Sequence, residues 1–426
     1  NDERIFAEYM IETPRTLEVA AESMAGEQST GTFTRVPGET DELRERFAAR
    51  IESIEPVETA TSPSLPGAVQ TKSDSKDPTA KYQRGRIRIS FPLESMGPNL
   101  PTIISTVAGN LFELRLLSGL KLIDLEFPDS LKQHFPGPQF GIEGTRRLTG
   151  VQSRPIIGTI VKPSVGLTPA ATAELVRTLA EAGADFVKDD ELMANPPQSP
   201  LADRVKAVMT VVNSVAEKIG KKLMFAFNIS DQLDRMLEHM EVVKQAGGTC
   251  IMVSLNSVGY AAVDFLRRQS SLPIHGHRNG WGMLNRHPLL GLDFRAYQKL
   301  WRLVGVDHLH VNGLKNKFCE PDESVVRSIK ACLEPMLGGY RVMPVVSSGQ
   351  WGGQAPETFR QTQTLDVIYL AGGGIIAHPG GAAAGVAAIQ QAWQAAASGI
   401  ALEEFAKQHV ELRQSLEFYG KMAHAK

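Results

Sequence analysis

From about residue 155 onward, short apolar runs alternate with longer stretches of helical spacing. The runs at 156–162, 186–191, 223–229, 250–255, 273–278, 308–312, 342–348 and 367–370 are dominated by branched and aromatic residues, which predicts buried strands. The stretches at 170–182, 201–219, 232–245, 294–304, 323–333, 356–363 and 382–397 carry the period of amphipathic helices. Strands that alternate with helices imply a parallel sheet. Eight such repeats fit a (β/α)8 barrel, a TIM barrel, better than an open doubly wound sheet. No GxGxxG follows the first run, which argues against a dinucleotide fold. The tail, 402–426, reads as helical and charged and is expected to pack outside the barrel.

The first part of the chain lacks this rhythm. Strands are predicted at 5–11 and 86–91, helices at 41–51 and 102–119, and an extended segment at 120–127. Residues 62–81 are rich in Pro, Ser, Lys and Asp and read as a loop. The expected organisation is an α+β, ferredoxin-like N-terminal domain over 1–135, then the barrel with its C-terminal helices over 136–426.

Composition narrows the function classes. The chain has 426 residues, 42% hydrophobic and 22% charged, with a formal net charge of -2. That balance gives no electrostatic pull toward nucleic acid or an anionic membrane. No run of about 18 apolar residues suggests a membrane span. Cys250, Cys319 and Cys332 show no CxxC spacing, which fits a reducing, cytoplasmic compartment. Asn1-Asp2-Glu3-Arg4 lacks the basic and apolar regions of a signal peptide, and the absent initiator methionine points to a trimmed sequence.

Polar residues gather where the apolar runs end. The densest group is Phe186-Val187-Lys188-Asp189-Asp190-Glu191. On a strand, Lys188 and Asp190 share one face and Glu191 lies at the exit. Asp190 and Glu191 offer a hard divalent cation two oxygen ligands. A lysine joins such a set only if carbon dioxide converts its amine to a carbamate. In isolation, a charge run of this kind is a solvated face with a lysine salt bridge. Seven or eight polar strand ends that converge on one barrel mouth favour a site.

The other strand ends fit the same picture. Lys162 is an acid/base candidate beside a metal. Arg278 suits bidentate phosphate binding, and His277 shares a face with His275. His308 reads as structural, His310 as site-facing and His378 as part of a turn. Ser348-Gly349 and Gly372-Gly373-Gly374 resemble phosphate-cradling turns after strands seven and eight. Lys315 and Lys317 lie in a Gly-containing loop that suits a mobile lid, and the spacing leaves open which of them serves it.

These motifs resemble the RuBisCO large subunit along nearly the whole chain. Gly158-Thr159-Ile160-Val161-Lys162-Pro163 resembles its first barrel strand, and Gly183 to Glu191 resembles its metal-site strand. His277-Arg278, His310, Ser348-Gly349 and Gly372-Gly373 follow in the family's order. Glu27, Ser29-Thr30-Gly31-Thr32 and Gly109-Asn110-Leu111-Phe112 match its N-terminal part. The resemblance implies Mg2+ held by Asp190, Glu191 and a carbamate on Lys188. It makes Lys162, Lys188, His277 and Lys317 catalytic. It makes Arg278, His310, Ser348, Gly349, Gly372 and Gly373 substrate- and phosphate-binding. It also implies a homodimer in which Glu27, Thr32 and Asn110 complete the partner subunit's site.

Departures redirect the expected activity. Ser164 stands where carboxylases carry a second lysine, Phe33 replaces a tryptophan, Gln350 replaces a phosphate-site glycine, and 312–318 differs in sequence. The chain is therefore similar to the RuBisCO-like, non-carboxylating branch. The implied reaction forms an enediolate from a phosphorylated sugar-derived ketone. The leading expectation is a decarboxylase, or C–C hydrolase, of a β-keto sugar acid phosphate such as 3-oxo-isoapionate 4-phosphate. Alternatives are a methylthio-sugar phosphate enolase of methionine salvage, a residual carboxylase and a non-catalytic scaffold.

Overall fold

The structure is a computed structural model that describes residues 2–31, 35–68 and 81–423. Thr32, Phe33 and most of the loop expected at 62–81 lie outside the described residues. The chain divides into two compact units, 1–136 with 280–301, and 137–279 with 302–426.

The first unit is built on a five-stranded mixed sheet. Its order is Leu290–Leu292, Gly119–Glu126, Arg4–Thr13, Tyr82–Pro92, Arg50–Ala60. Ile5, Ala7, Tyr9 and Ile11 alternate along the third of these and are buried, so one face of the sheet carries the core. Leu17 of the helix Leu17–Glu27 packs against Gly85, where an added Cβ would stand 2.6 Å from its Cδ1. Two sequence expectations need correction here. The helix foreseen at 102–119 is Leu100–Val107 followed by a 3-10 turn, Gly109–Glu113, because the backbone turns at Gly109, whose φ is +42°. The helix foreseen at 41–51 is Asp41–Phe47, and Arg50 already begins a strand.

The second unit is a closed barrel of eight parallel strands. In chain order, strands one to eight are Ile156–Ile160, Phe186–Lys188, Met224–Asn228, Cys250–Ser254, Ile274–His277, His308–His310, Met343–Val346 and Ile368–Leu370. Each agrees with an apolar run of the sequence, and all but strand eight stop earlier than their run. Lys162, Asp190, Glu191, Arg278, Asn312, Ser347 and Ser348 therefore lie past the ladder, in the loops that follow it. The interior is apolar where six strands contribute: Ile156, Phe186, Met224, Ala226, Cys250, Met252, Met343, Val345, Ile368 and Leu370 form one buried cluster with Ile142 and Val151. Strands five and six contribute histidines to the barrel instead. Gly158 is required where strand one meets strand two, since a Cβ there would stand 2.1 Å from the Phe186 carbonyl oxygen.

The helix Tyr260–Gln269, between strands four and five, had no counterpart in the sequence reading. The C-terminal helix Val410–Ala423 reaches the turn after strand eight, where Tyr419 Oη donates to the Gly373 carbonyl at 2.6 Å.

Candidate active site

The acid run begins with a lysine whose surroundings are dry. Lys188, the last residue of strand two, is 1% exposed. Its Nζ donates to the Asp189 carbonyl at 2.9 Å and lies 3.8 Å from Glu191 Oε2. Burial pushes this amine below the usual lysine range, against the pull of Glu191, Asp190 and Asp189. Because the strand stops at Lys188, alternation does not set the position of Asp190. The loop does so: the Asp190 carboxylate accepts from Leu192 N at 3.0 Å and from Lys162 Nζ at 2.7 Å. Burial raises the Asp190 carboxyl, but Lys162 and the Leu192 N–H outweigh it and hold the group below the usual carboxylate range.

Asp189 has a different role. Its carboxylate is fully buried and takes Arg204 Nε on Oδ1 and Nη2 on Oδ2, each at 3.1 Å. Asn228 N donates to it at 2.9 Å, and the Asn228 amide donates to the Asp190 and Glu191 carbonyls at 3.3 Å. Arg204 and Asn228 thus clamp the run through the Asp189 carboxylate and the Asp190 and Glu191 carbonyls.

Lys162 is half exposed and bridges Asp190 and the Ser164 hydroxyl, the latter at 2.9 Å. The serine that departs from the carboxylase pattern is therefore a partner of the acid/base candidate. His277 Nε2 lies 3.4 Å from Glu191 Oε2. Its Nδ1 accepts from Asn279 N at 3.1 Å and from the Asn279 amide at 3.0 Å, which puts the proton on Nε2. Burial and the nearby Lys188 keep the ring well below its usual pKa, so it meets Glu191 as a neutral N–H donor. The His277 and His310 rings pack 4.4 Å apart between centroids.

The phosphate-site candidates lie on the later loops. Arg278 is buried and pairs with Glu320 at 3.0 Å, and Asn312 donates to the same Glu320 oxygen at 2.7 Å. Ser348 has φ +75°, and its hydroxyl accepts from Lys317 N at 3.4 Å, which joins the loop after strand six to the loop after strand seven. Gln350 strengthens that joint: its Nε2 donates to the Leu314 and Ser348 carbonyls at 3.0 and 2.9 Å. Gly349 carries a positive φ of +65°, and its carbonyl accepts from Gln354 at 3.1 Å. Gly372 caps the single helical turn Gly373–Ile376. Lys315 is held elsewhere, with its N–H on Asp322 at 2.8 Å. Glu27 and Asn110, both exposed, belong to the first unit, at the end of the helix Leu17–Glu27 and in the turn Gly109–Glu113.

Asn279, Glu320 and Arg204 were not foreseen. Asn279 follows His277-Arg278 directly, so strand-end position was its only signal; Arg204 sits in a helix where a lone arginine reads as surface.

Two carboxylates and a buried amine within one four-residue run suit a divalent cation once that amine carries a carboxylate, since hard cations prefer oxygen donors. Among the described residues no group of three acidic, histidine or cysteine side chains is arranged for a metal.

A family model described as the ribulose bisphosphate carboxylase large chain, catalytic domain, matches residues 141–419, and its N-terminal companion matches 1–131. A 3-oxo-isoapionate-4-phosphate decarboxylase of Rhizobium etli is 48% identical over 96% of the chain and 97% of the relative. A 3-oxo-isoapionate-4-phosphate transcarboxylase/hydrolase of Xanthobacter autotrophicus is 50% identical, with 98% and 99% covered. The crystal structure of a rubisco-like protein from Burkholderia fungorum superposes with TM-score 0.91 at 46% identity, covering 98% of this chain and 100% of that one. A dimeric archaeal Rubisco from Hyperthermus butylicus gives 0.84 at 28% identity, with 99% and 96% covered.

Proposed function

The chain belongs to the RuBisCO large-chain family, and on that premise we propose that it is a decarboxylase of a β-keto sugar acid phosphate, with 3-oxo-isoapionate 4-phosphate as substrate. The observation that carries this reading is the corner formed by Lys162, Asp190, Glu191 and buried Lys188. Two curated relatives of about half identity bear names for chemistry on this compound.

Asp190, Glu191 and a carbamate on Lys188 would hold Mg2+. When bound, the ion supplies a Lewis acid next to a carbonyl and its neighbouring hydroxyl. The protein's own residues do the rest. The carbon–carbon bond to the carboxylate breaks, its electron pair moves toward the ketone, and carbon dioxide leaves. Lys162, at 2.7 Å from Asp190, holds a proton at the mouth and delivers it to the enediolate. His277, fixed by Asn279, donates from Nε2 to developing negative charge. Arg278, oriented by Glu320, and the turns at Ser348-Gly349 and Gly372-Gly373 hold the phosphate. Lys317, whose backbone is tied to Ser348, closes the site as the lid lysine. His310 stands with the substrate-holding groups.

Ser164 bears on the direction of the reaction. A single lysine hydrogen-bonded to a hydroxyl suits delivery of one proton after carbon dioxide has left. Methionine-salvage enolisation is the weaker reading, because the relatives near half identity carry the decarboxylase and transcarboxylase/hydrolase names. We also propose a homodimer in which Glu27, Thr32 and Asn110 complete the partner's site. A cytoplasmic location is supported by three cysteines that form no disulfide. Among the described residues, no helix is long and apolar enough to cross a membrane.

The test is a substrate panel with Mg2+ and bicarbonate. Carbon dioxide release from 3-oxo-isoapionate 4-phosphate is expected. Turnover of a methylthio-diketone phosphate alone would reverse the ranking.

A further inference from the structure

A line of hydrogen bonds crosses the barrel interior on strands five and six. The Thr145 hydroxyl, on the helix Gly141–Thr149, stands 2.8 Å from His308 Nε2. His308 Nδ1 meets His275 Nδ1 at 3.0 Å, and His275 Nε2 meets His310 Nε2 at 2.8 Å. The line ends where Ser347 Oγ lies 3.3 Å from His310 Nδ1, just past strand seven. The pairing of His308 with His275 across the two strands sets this sequence of contacts. All three rings are buried.

Each ring nitrogen has one partner, so the direction of one bond decides all the others. Thr145 Oγ1 also stands 2.5 Å from the Gly141 carbonyl oxygen, which only accepts. The single hydroxyl hydrogen must point there, or two lone pairs would face each other at that distance. Thr145 therefore accepts from His308 Nε2–H. His308 Nδ1 then accepts from His275 Nδ1–H, and His275 Nε2 accepts from His310 Nε2–H. His310 Nδ1 is left with its lone pair, which accepts from the Ser347 hydroxyl.

We propose that Thr145, His308 and His275 are positioning residues that hold His310 in one tautomer, with the proton on Nε2 and the Nδ1 lone pair turned to the end of strand seven. His310 then meets substrate as a hydrogen-bond acceptor and recognises a hydroxyl rather than a bare phosphate oxygen. The tautomer order follows from the hydrogen bonds alone; its use on a sugar hydroxyl rests on the function proposed above. The Ser347 contact is the longest of the line, so a substrate hydroxyl can replace it with little loss.

The test uses the full chain labelled with 15N-histidine, without substrate. Long-range 1H–15N correlation spectra at neutral pH should show His308 and His310 protonated on Nε2 and His275 on Nδ1. A His310 protonated on Nδ1, or carrying both protons, would overturn the proposal. Thr145→Val keeps the volume but removes the acceptor, and should redistribute the His310 tautomer while lowering kcat/KM about tenfold. Thr145→Ser should restore both. A Thr145→Val protein with the wild-type histidine spectrum and unchanged kcat/KM would also overturn it. Absence of decarboxylation in every variant, with the expected wild-type spectrum, would count against the substrate reading and leave the tautomer order standing.

Discussion

Two polar regions share the barrel, and they are built on opposite principles. The corner past strands one and two is charged, partly open and held by ion pairs: Lys162 with Asp190, and Lys188 near Glu191. The line through strands five and six is neutral, closed, and satisfied atom by atom from Thr145 to Ser347. The charged corner has donors to spare and can take up a ligand. The neutral line has no donor to spare and offers only the His310 Nδ1 lone pair at its end. Burial acts on both, but only the histidines settle the conflict internally, because a neutral imidazole is donor and acceptor at once. Buried Lys188 has no such option.

The contrast is sharpened first by deleting the lysine. Lys188→Ala should lower kcat for carbon dioxide release by roughly 10^4-fold, and chelation of Mg2+ from the wild type should match it, with activity returning on metal addition. A full rate in either case would mean that the corner is only a structural ion-pair network. Replacing the exposed partner is the next step: Lys162→Met is expected to cost roughly 10^3-fold in kcat with KM changed only a few-fold, as measured by steady-state kinetics. The clamp beneath the corner is tested by stability. Asp189→Asn leaves Arg204 buried against a neutral amide, and urea unfolding should show a loss of about 3 kcal/mol.

The last effect concerns the histidine line and pH. Burial lowers His308 to about 3. It also lowers His275 and His310 well below 6.5, with neighbouring histidines and Lys188 acting in the same direction. Below pH 6.5 the unfolded chain takes up protons that the folded chain refuses, so stability falls as pH falls. Asp307, pushed up by burial to about 6, opposes this below that pH, because its folded carboxyl takes up a proton first. Three groups against one leave a net loss of up to about 1.4 kcal/mol per pH unit for each uncompensated histidine. Urea midpoints that stay flat between pH 6.5 and 5 would show that the line is already charged.

The barrel was legible because its strands are apolar runs set between helical patterns. Their ends were read too long, since Asp190, Arg278 and Ser347 continue the sequence run after the hydrogen-bond ladder has stopped. The strand Arg50–Ala60 was missed because it is polar on both faces, with Glu52, Glu55 and Glu58 exposed, and so shows no period. The charged corner was legible from the run Lys188 to Glu191 together with the strand-end Lys162. The histidine line was not: His275 and His308 are each visible, but only the cross-strand register brings them together, and Thr145 lies far away in sequence. Gln350 was read as a lost glycine, yet its side chain ties Leu314 to Ser348.

The most direct measurement follows the carboxyl carbon. With 13C in the carboxylate of 3-oxo-isoapionate 4-phosphate, and with Mg2+ and bicarbonate present, all the label should leave as carbon dioxide in the wild type and stay in the substrate with Lys188→Ala. Label recovered in an organic acid, or released equally by Lys188→Ala, would contradict decarboxylation at the Lys188 corner.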